Sequence, residues 1–326
     1  MAVHRPSPTL TEVYLNPQNS ESIKAAGNEL KTAVGCSNCQ RPESDSVKLR
    51  KCAKCKMILY CSKECQTRDW PTHKSHCKIA ADQKVHTIAD LVNYFLANKY
   101  LHKYLELALM LELGLELESM DDVLDRLFIA QFYVGIEPCD VEDFQRLWSP
   151  KFHFDPSEKV MMKGMFQLLG LTTSSAHPRD VPSTRSHDTS HFANFRRQAD
   201  EKGHKNDPLV ECEFVAMTDG IVSIQSSVAS ISFGACLLAK ELKMITISTG
   251  IDKPLTVATC LEFINMRIRQ DSENQFRLRT RMEVQDVRAI NYTGNINKHI
   301  STKGSWIDVY KKTLREKVDR ESVYAA

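Results

Sequence analysis

Residues 60–77 read YCSKECQTRDWPTHKSHC, which packs three cysteines, two histidines, a tryptophan and a proline into one short stretch. Cys61 and Cys65 are four positions apart, as are His73 and Cys77, so each pair falls on one face of a helix. Upstream, Cys36/Cys39 and Cys52/Cys55 are C-x2-C pairs, a spacing that lets a tight knuckle bring both sulfurs to one metal. Eight soft or borderline ligands suit two four-coordinate zinc sites, one of four thiolates and one of three thiolates and an imidazole. His76 adjoins Cys77, but the helical spacing selects His73. Spacing alone leaves open which pairs share a metal: knuckles with knuckles, a nested order or a crossed one.

Both shells are then full. A catalytic zinc keeps an open position for water or substrate, so closed thiolate-rich shells predict two structural Zn2+ ions and no enzyme chemistry. The need for metal follows from size, because some 42 residues bury too little apolar surface for a core of their own. Structural zinc in finger peptides supplies about 10–16 kcal/mol of binding free energy, which is also folding free energy.

The whole chain has 326 residues, 42% hydrophobic and 26% charged, with a formal net charge of +2. That composition builds a globular core and gives no overall pull toward nucleic acid or membrane. The most apolar run, LELALMLELGLELE, is broken repeatedly by glutamate and reads as no membrane span. MAVHRPSPTLTEVYLNPQ lacks an apolar signal core and reads as a tail. Of 11 cysteines, seven lie between Cys36 and Cys77, an odd cluster that cannot pair fully within itself. This predicts a metal site in a reducing compartment, nuclear or cytoplasmic, rather than a disulfide framework.

The run YCSKECQTRDWPTHKSHC, preceded by CSNC and CAKC, resembles a MYND-type zinc finger, and Tyr60, Cys61, Ser62, Cys65, Gln66, Trp70, His73 and Cys77 fill its signature. The resemblance is confined to residues 36–77. It implies the crossed arrangement, with Cys36, Cys39, Cys61 and Cys65 on one zinc and Cys52, Cys55, His73 and Cys77 on the other. It also implies a protein-interaction module that takes short proline-containing peptides, with Gln66 and Trp70 as the contact residues. Trp70 has a competing use as cover for the zinc sites, and an aromatic ring with one N–H donor suits either role.

Ser62 is placed to cap the first ligand-bearing helix, with Glu64 in its first turn. Pro71 predicts a break between the two helical ligand pairs. Between Cys36 and Lys78 stand ten Lys/Arg and four Asp/Glu, a local excess of six positive charges. Such a face steers an acidic partner protein or, as the alternative reading, lets a transcriptional regulator track nucleic-acid phosphates. A SET-type lysine methyltransferase is a further alternative, because some MYND fingers sit inside such enzymes. They carry a Gly-rich cofactor segment before the finger and an Asn-His pair after it. Here only Gly27 and Gly35 precede Cys36, and no Asn-His dipeptide occurs.

The remainder predicts an α+β protein: a small cross-brace finger joined to a mixed helix/strand C-terminal region of unassigned fold. The divisions are a flexible tail with a short helix (1–35), the finger (36–78), a helical region with a strand (79–171), a polar linker (172–208) and an α/β region (209–326). Residues 20–34 read as a helix capped by Ser20 or Ser22, and residues 86–118 as a helix. Residues 126–136 read as a buried strand, and 158–170 as a helix. VECEFVAM and GIVSIQSS flank TDG as a hairpin. Two helices then surround the strand MITIST, the second with Asp252 as cap and Pro254 as early proline, and a charged amphipathic helix follows. His187 and His191, and Cys236 in SFGAC, read as a chance pair and a small buried thiol. No phosphate-binding loop, nucleophile elbow or H-E-x-x-H occurs.

Overall fold

The computed structural model describes residues 18–30, 36, 38–39, 41, 46–54, 58–81, 87–115, 123–124, 126–153, 160–176, 195–197, 199–201, 203–218, 221–248, 251–295 and 306–325. Cys55, His187 and His191, and the side chains of His76 and Cys236, lie outside what is described.

The body is a five-stranded sheet with helices against it. Its strands are β3 (Leu127–Pro138), β4 (Lys163–Ala176), β5 (Leu209–Thr218), β6 (Ile221–Ser230) and β9 (Arg279–Arg281), in the order β6-β5-β3-β4-β9. β3 and β5 run parallel, and every other neighbouring pair is antiparallel. Two short ribbons stand apart: β1 (Arg50–Lys51) with β2 (Leu59–Tyr60), and β7 (Met244–Ser248) with β8 (Ile251–Pro254).

Consecutive residues of β3 serve opposite faces. Phe132 stacks on Phe214 at 5.1 Å, and Phe95 meets Phe214 and Phe166 at 6.0 and 5.5 Å. Phe95 comes from α3 (Ile88–Ala97), which brings α4 (Lys99–Leu113) with it. On the other face, a Cβ at Gly170, which pairs with Tyr133, would lie 3.3 Å from Thr313 of α9 (Trp306–Arg320). The remaining helices are α5 (Val141–Trp148), α6 (Phe233–Glu241), α7 (Val257–Gln270) and α8 (Val284–Gly294). α6 and α7 both pack on α4, and α8 packs on α5 and α9.

The helix read over 86–118 is broken at Asn98. Its side chain accepts from the N–H groups of Tyr100 and Leu101, so it caps α4 while α3 ends against it. The helix read over 158–170 is corrected: Lys163–Ala176 is strand β4. Met, Leu and Gln have no strong strand preference, but here Phe166, Leu168 and Leu169 are buried within the sheet, and tertiary packing overrides propensity. Gly164 allows the approach of neighbouring chain, since a Cβ there would sit 2.5 Å from Ile136 and 2.6 Å from Met282. The first residues of the polar stretch, 172–176, extend this strand alongside 127–131.

The strand read over 126–136, the hairpin of β5 and β6, and the helices after it form as read. The cap of α7 is corrected. Thr256 forms a capping box with Thr259, whereas Asp252 and Pro254 lie in β8.

The first helix, α1 (Ser20–Glu29), is capped by Asn19 rather than by either serine, because the Asn19 side chain accepts from the Ser22 N–H. It precedes the finger in sequence yet packs against α3. Ile23 is buried, Gly27 lies where a Cβ would meet Tyr94 at 2.7 Å, and Arg277 donates to Ser20 O and Glu21. The finger is therefore inserted between two helices that touch each other.

Candidate metal centre

The finger's own interior is made of its metal-binding candidates. Cys36, Cys52, Tyr60 and Cys77 are buried together, with Leu49, Ile58, Cys61 and Cys65 packed around them. The β1–β2 ribbon, in register Arg50↔Tyr60, carries Cys52 past its end, where the Cys52 N–H donates to Ile58 O at 2.8 Å. A second turn is closed by Cys36 N–H donating to Arg41 O, also at 2.8 Å.

Helix α2 (Lys63–Ala81) supplies Cys65, His73 and Cys77, while Cys61 stands in the bend before the helix, which corrects the reading of Cys61 and Cys65 as one helical pair. Ser62 caps it, its hydroxyl accepting from Cys65 N–H at 3.3 Å. The Ser62 hydroxyl and a backbone N–H also hold the Glu64 carboxyl below the usual range. The expected break at Pro71 is corrected, because the helix runs through it. Proline removes one backbone donor, and the flanking turns are held by side chains that converge on Cys52, Tyr60 and Cys61. Tyr60 donates its hydroxyl to Asp69 at 2.5 Å, one residue before Trp70.

Two groups of ligand atoms result. Sγ of Cys36, Cys39, Cys61 and Cys65 all lie within 4.8 Å of one another, and so do the ligand atoms of Cys52, His73 and Cys77. Within them, Cys39–Cys61 is 3.6 Å, Cys61–Cys65 3.5 Å, Cys52–Cys77 3.9 Å and His73 Nε2–Cys52 Sγ 3.4 Å. Tetrahedral zinc with Zn–S near 2.3 Å places sulfurs about 3.8 Å apart, so these separations fit the ion. The pairing is crossed: the first knuckle meets Cys61 and Cys65, and Cys52 of the second knuckle meets His73 and Cys77.

The electrostatics of the first group call for a cation. Burial pushes the Cys36 thiol up, but N–H groups of Cys61, Cys39 and Asn38 outweigh it and bring the value to about 6. Bonds to the sulfurs of Cys65 and Cys39 push Cys61 up to about 12. A divalent ion among the four sulfurs would relieve the repulsion between them as thiolates.

Gln66 and Trp70 both flank the second group. Gln66 Nε2 is 3.6 Å from Cys52 Sγ, and the Trp70 ring meets the His73 ring edge-on at 5.8 Å. Trp70 remains 38% exposed, so it both leans on the centre and presents a surface.

Outside the finger, a buried ionic cluster escaped the sequence reading. Lys317 Nζ lies 3.0 Å from both Glu137 and Glu321, and Tyr324 OH donates to Glu137 at 2.5 Å. Arg269 donates to Tyr324 OH at 2.9 Å, and Asn265 to Glu321 at 2.6 Å. The one signal for it was a glutamate, Glu137, next to the end of a mostly apolar strand. Cys212 and Cys260 are inert thiols, both pushed by burial up to about 12.

A family model described as a domain of unknown function (DUF8205) matches residues 83–324, and the MYND finger model matches residues 36–77. The finger segment also resembles the SET domain and MYND-type zinc finger protein 6 of Schizosaccharomyces pombe, 44% identical over 66 residues. A SET and MYND domain-containing protein of Dictyostelium discoideum is 40% identical over 52 residues. The zinc finger MYND domain-containing protein 10 homolog of Drosophila melanogaster is 37% identical over 67. These alignments cover 20%, 15% and 18% of this chain and 13%, 10% and 14% of those relatives. No solved structure matches. Residues 36–77 are a MYND finger, a protein-interaction module that binds zinc. Among the described residues, no helix is long and apolar enough to cross a membrane.

Proposed function

Because the chain belongs to the DUF8205 domain family and carries a MYND finger ahead of that domain, we propose that it captures partner proteins and catalyses no reaction. In this reading two structural zinc ions, on Cys36, Cys39, Cys61 and Cys65 and on Cys52, Cys55, His73 and Cys77, fix α2. Gln66 and Trp70 then meet a proline-containing peptide, in the nucleus or the cytoplasm. The observation that supports it most is the placement of Trp70, partly exposed and edge-on to His73, on the helix that contributes to both ligand groups. In this reading Cys55 completes the second shell as Cys36, Cys39, Cys61 and Cys65 complete the first, and two closed shells would leave no metal position for substrate. The SET proteins among the relatives align with this chain over the finger segment alone, which supports no methyltransferase assignment.

The test pairs native mass spectrometry with a proline-containing peptide array. Two zinc ions per chain and binding lost in Trp70→Ala support the reading. One zinc ion breaks the ligand scheme, and peptide binding indifferent to Trp70 moves capture elsewhere.

A further inference from the structure

The finger's described cations outnumber its described acids. Arg41, Lys48, Arg50, Lys51, Lys54, Lys63, Arg68 and Lys74 are all exposed, and none forms an ion pair among the described residues. Of the two acids on α2, Asp69 accepts from Tyr60, and Glu64 is held at the helix start by Ser62 and its own N–H, with only a weaker pull from Lys63 and Arg68.

Two of these cations share a face with the proposed contact residues. At 100° per residue, Lys63, Gln66, Trp70 and Lys74 fall within about 80° of arc on α2. Trp70 thus stands between two exposed lysines on one side of the helix. Eleven residues of helix separate Lys63 from Lys74, about 16 Å along the axis. An extended peptide advancing about 3.3 Å per residue covers that distance in five residues.

We infer that the α2 stripe selects an acidic peptide, with two carboxylates about five residues apart bracketing an apolar, proline-containing centre. This rests on the peptide-capture reading and adds the charge of the partner. Lys63 and Lys74 take the carboxylates, and Trp70 takes the centre. Duplex nucleic acid, the other polyanion, offers phosphates but no apolar centre for a ring that packs edge-on against His73.

The experiment uses the zinc-loaded full chain and two labelled peptides that differ only in carrying Glu or Gln at positions five apart around a proline-rich centre. Fluorescence anisotropy at low salt should give the Glu peptide a roughly fivefold lower Kd, the scale of two exposed ion pairs. The ratio should shrink toward one as salt rises. It should also fall to about one in the Lys63→Gln/Lys74→Gln variant, whose zinc count by native mass spectrometry verifies its fold. Equal binding of both peptides with Trp70 dependence intact overturns the inference and spares the capture reading. Binding of neither peptide overturns both. A short DNA duplex that displaces the Glu peptide, and binds more tightly with a steep salt slope, overturns the inference in favour of nucleic acid.

Discussion

His73 Nε2 lies 3.4 Å from Cys52 Sγ, although the residues are 21 positions apart and belong to a helix and to the end of a two-residue strand. Little apolar surface joins those elements, since the finger's buried cluster consists mainly of the ligands themselves. Metal is therefore the principal cross-link. Chelation should unfold residues 36–77 and leave the body, with α1 docked on it, folded. Hydrogen exchange should rise across α2 and stay low across β3, β4 and α3. His73→Ala should remove one zinc ion of two by native mass spectrometry. Body strands that lose protection together with α2 would contradict this separation.

Lys317 is fully buried between Glu137 and Glu321. Removing its charge takes the buried cation from two carboxylates and leaves them the cations Arg269 and Arg320 at the edge of the cluster, a loss of about 3–5 kcal/mol. Lys317→Met should accordingly lower the urea midpoint of the body sharply. The double variant Lys317→Met/Glu137→Gln should regain part of the loss, because one of the two carboxylates that lost the lysine is then neutral. A single variant within about 0.5 kcal/mol of wild type would mean that the cluster relaxes into solvent.

Gly164→Ala probes the strand that sequence periodicity misreads. A methyl group there would lie 2.5 Å from Ile136 Cγ2, so overpacking should cost about 1–3 kcal/mol in urea unfolding. Were the segment helical, the same change would stabilise it by about 1 kcal/mol. The sign of the change separates the two.

The finger was legible because ligand spacing is local: His73/Cys77 announce a helical pair, and Cys61/Cys65 bracket the start of the same helix, without knowledge of anything distant. The hairpin of β5 and β6 was legible for the same reason, through the turn between them. β4 was not, since Met165, Phe166, Leu168 and Leu169 pass equally for a buried helix until Ile136 and Met282 press on Gly164. Asn98 and Pro71 erred in opposite directions. The asparagine, whose side chain can replace a backbone partner, ended one helix, while the proline failed to end another. The ionic cluster was invisible because its members are spread from Glu137 to Tyr324, and only the fold brings them to one place.

Glu262 ties the C-terminal turn to the body. Burial pushes its carboxyl up, but the Lys253 ammonium at 2.6 Å and the N–H and hydroxyl of Ser322 outweigh this and hold it below its ordinary value. A carboxyl depressed in the folded state contributes stability that is complete above its unfolded pKa, near 4.5, and disappears as pH falls through the lower folded value. Glu262→Gln should be less stable than wild type by about 1–3 kcal/mol at pH 7, as expected for hydrogen bonds to a charged group. The gap should begin to close as pH drops below 4.5 and vanish once pH is below the lower folded value, where wild type carries a neutral carboxyl too. Urea unfolding of both proteins from pH 7 to pH 3 measures it. A gap that stays constant or widens toward acid would show that Ser322 and Lys253 do not hold the ionised form.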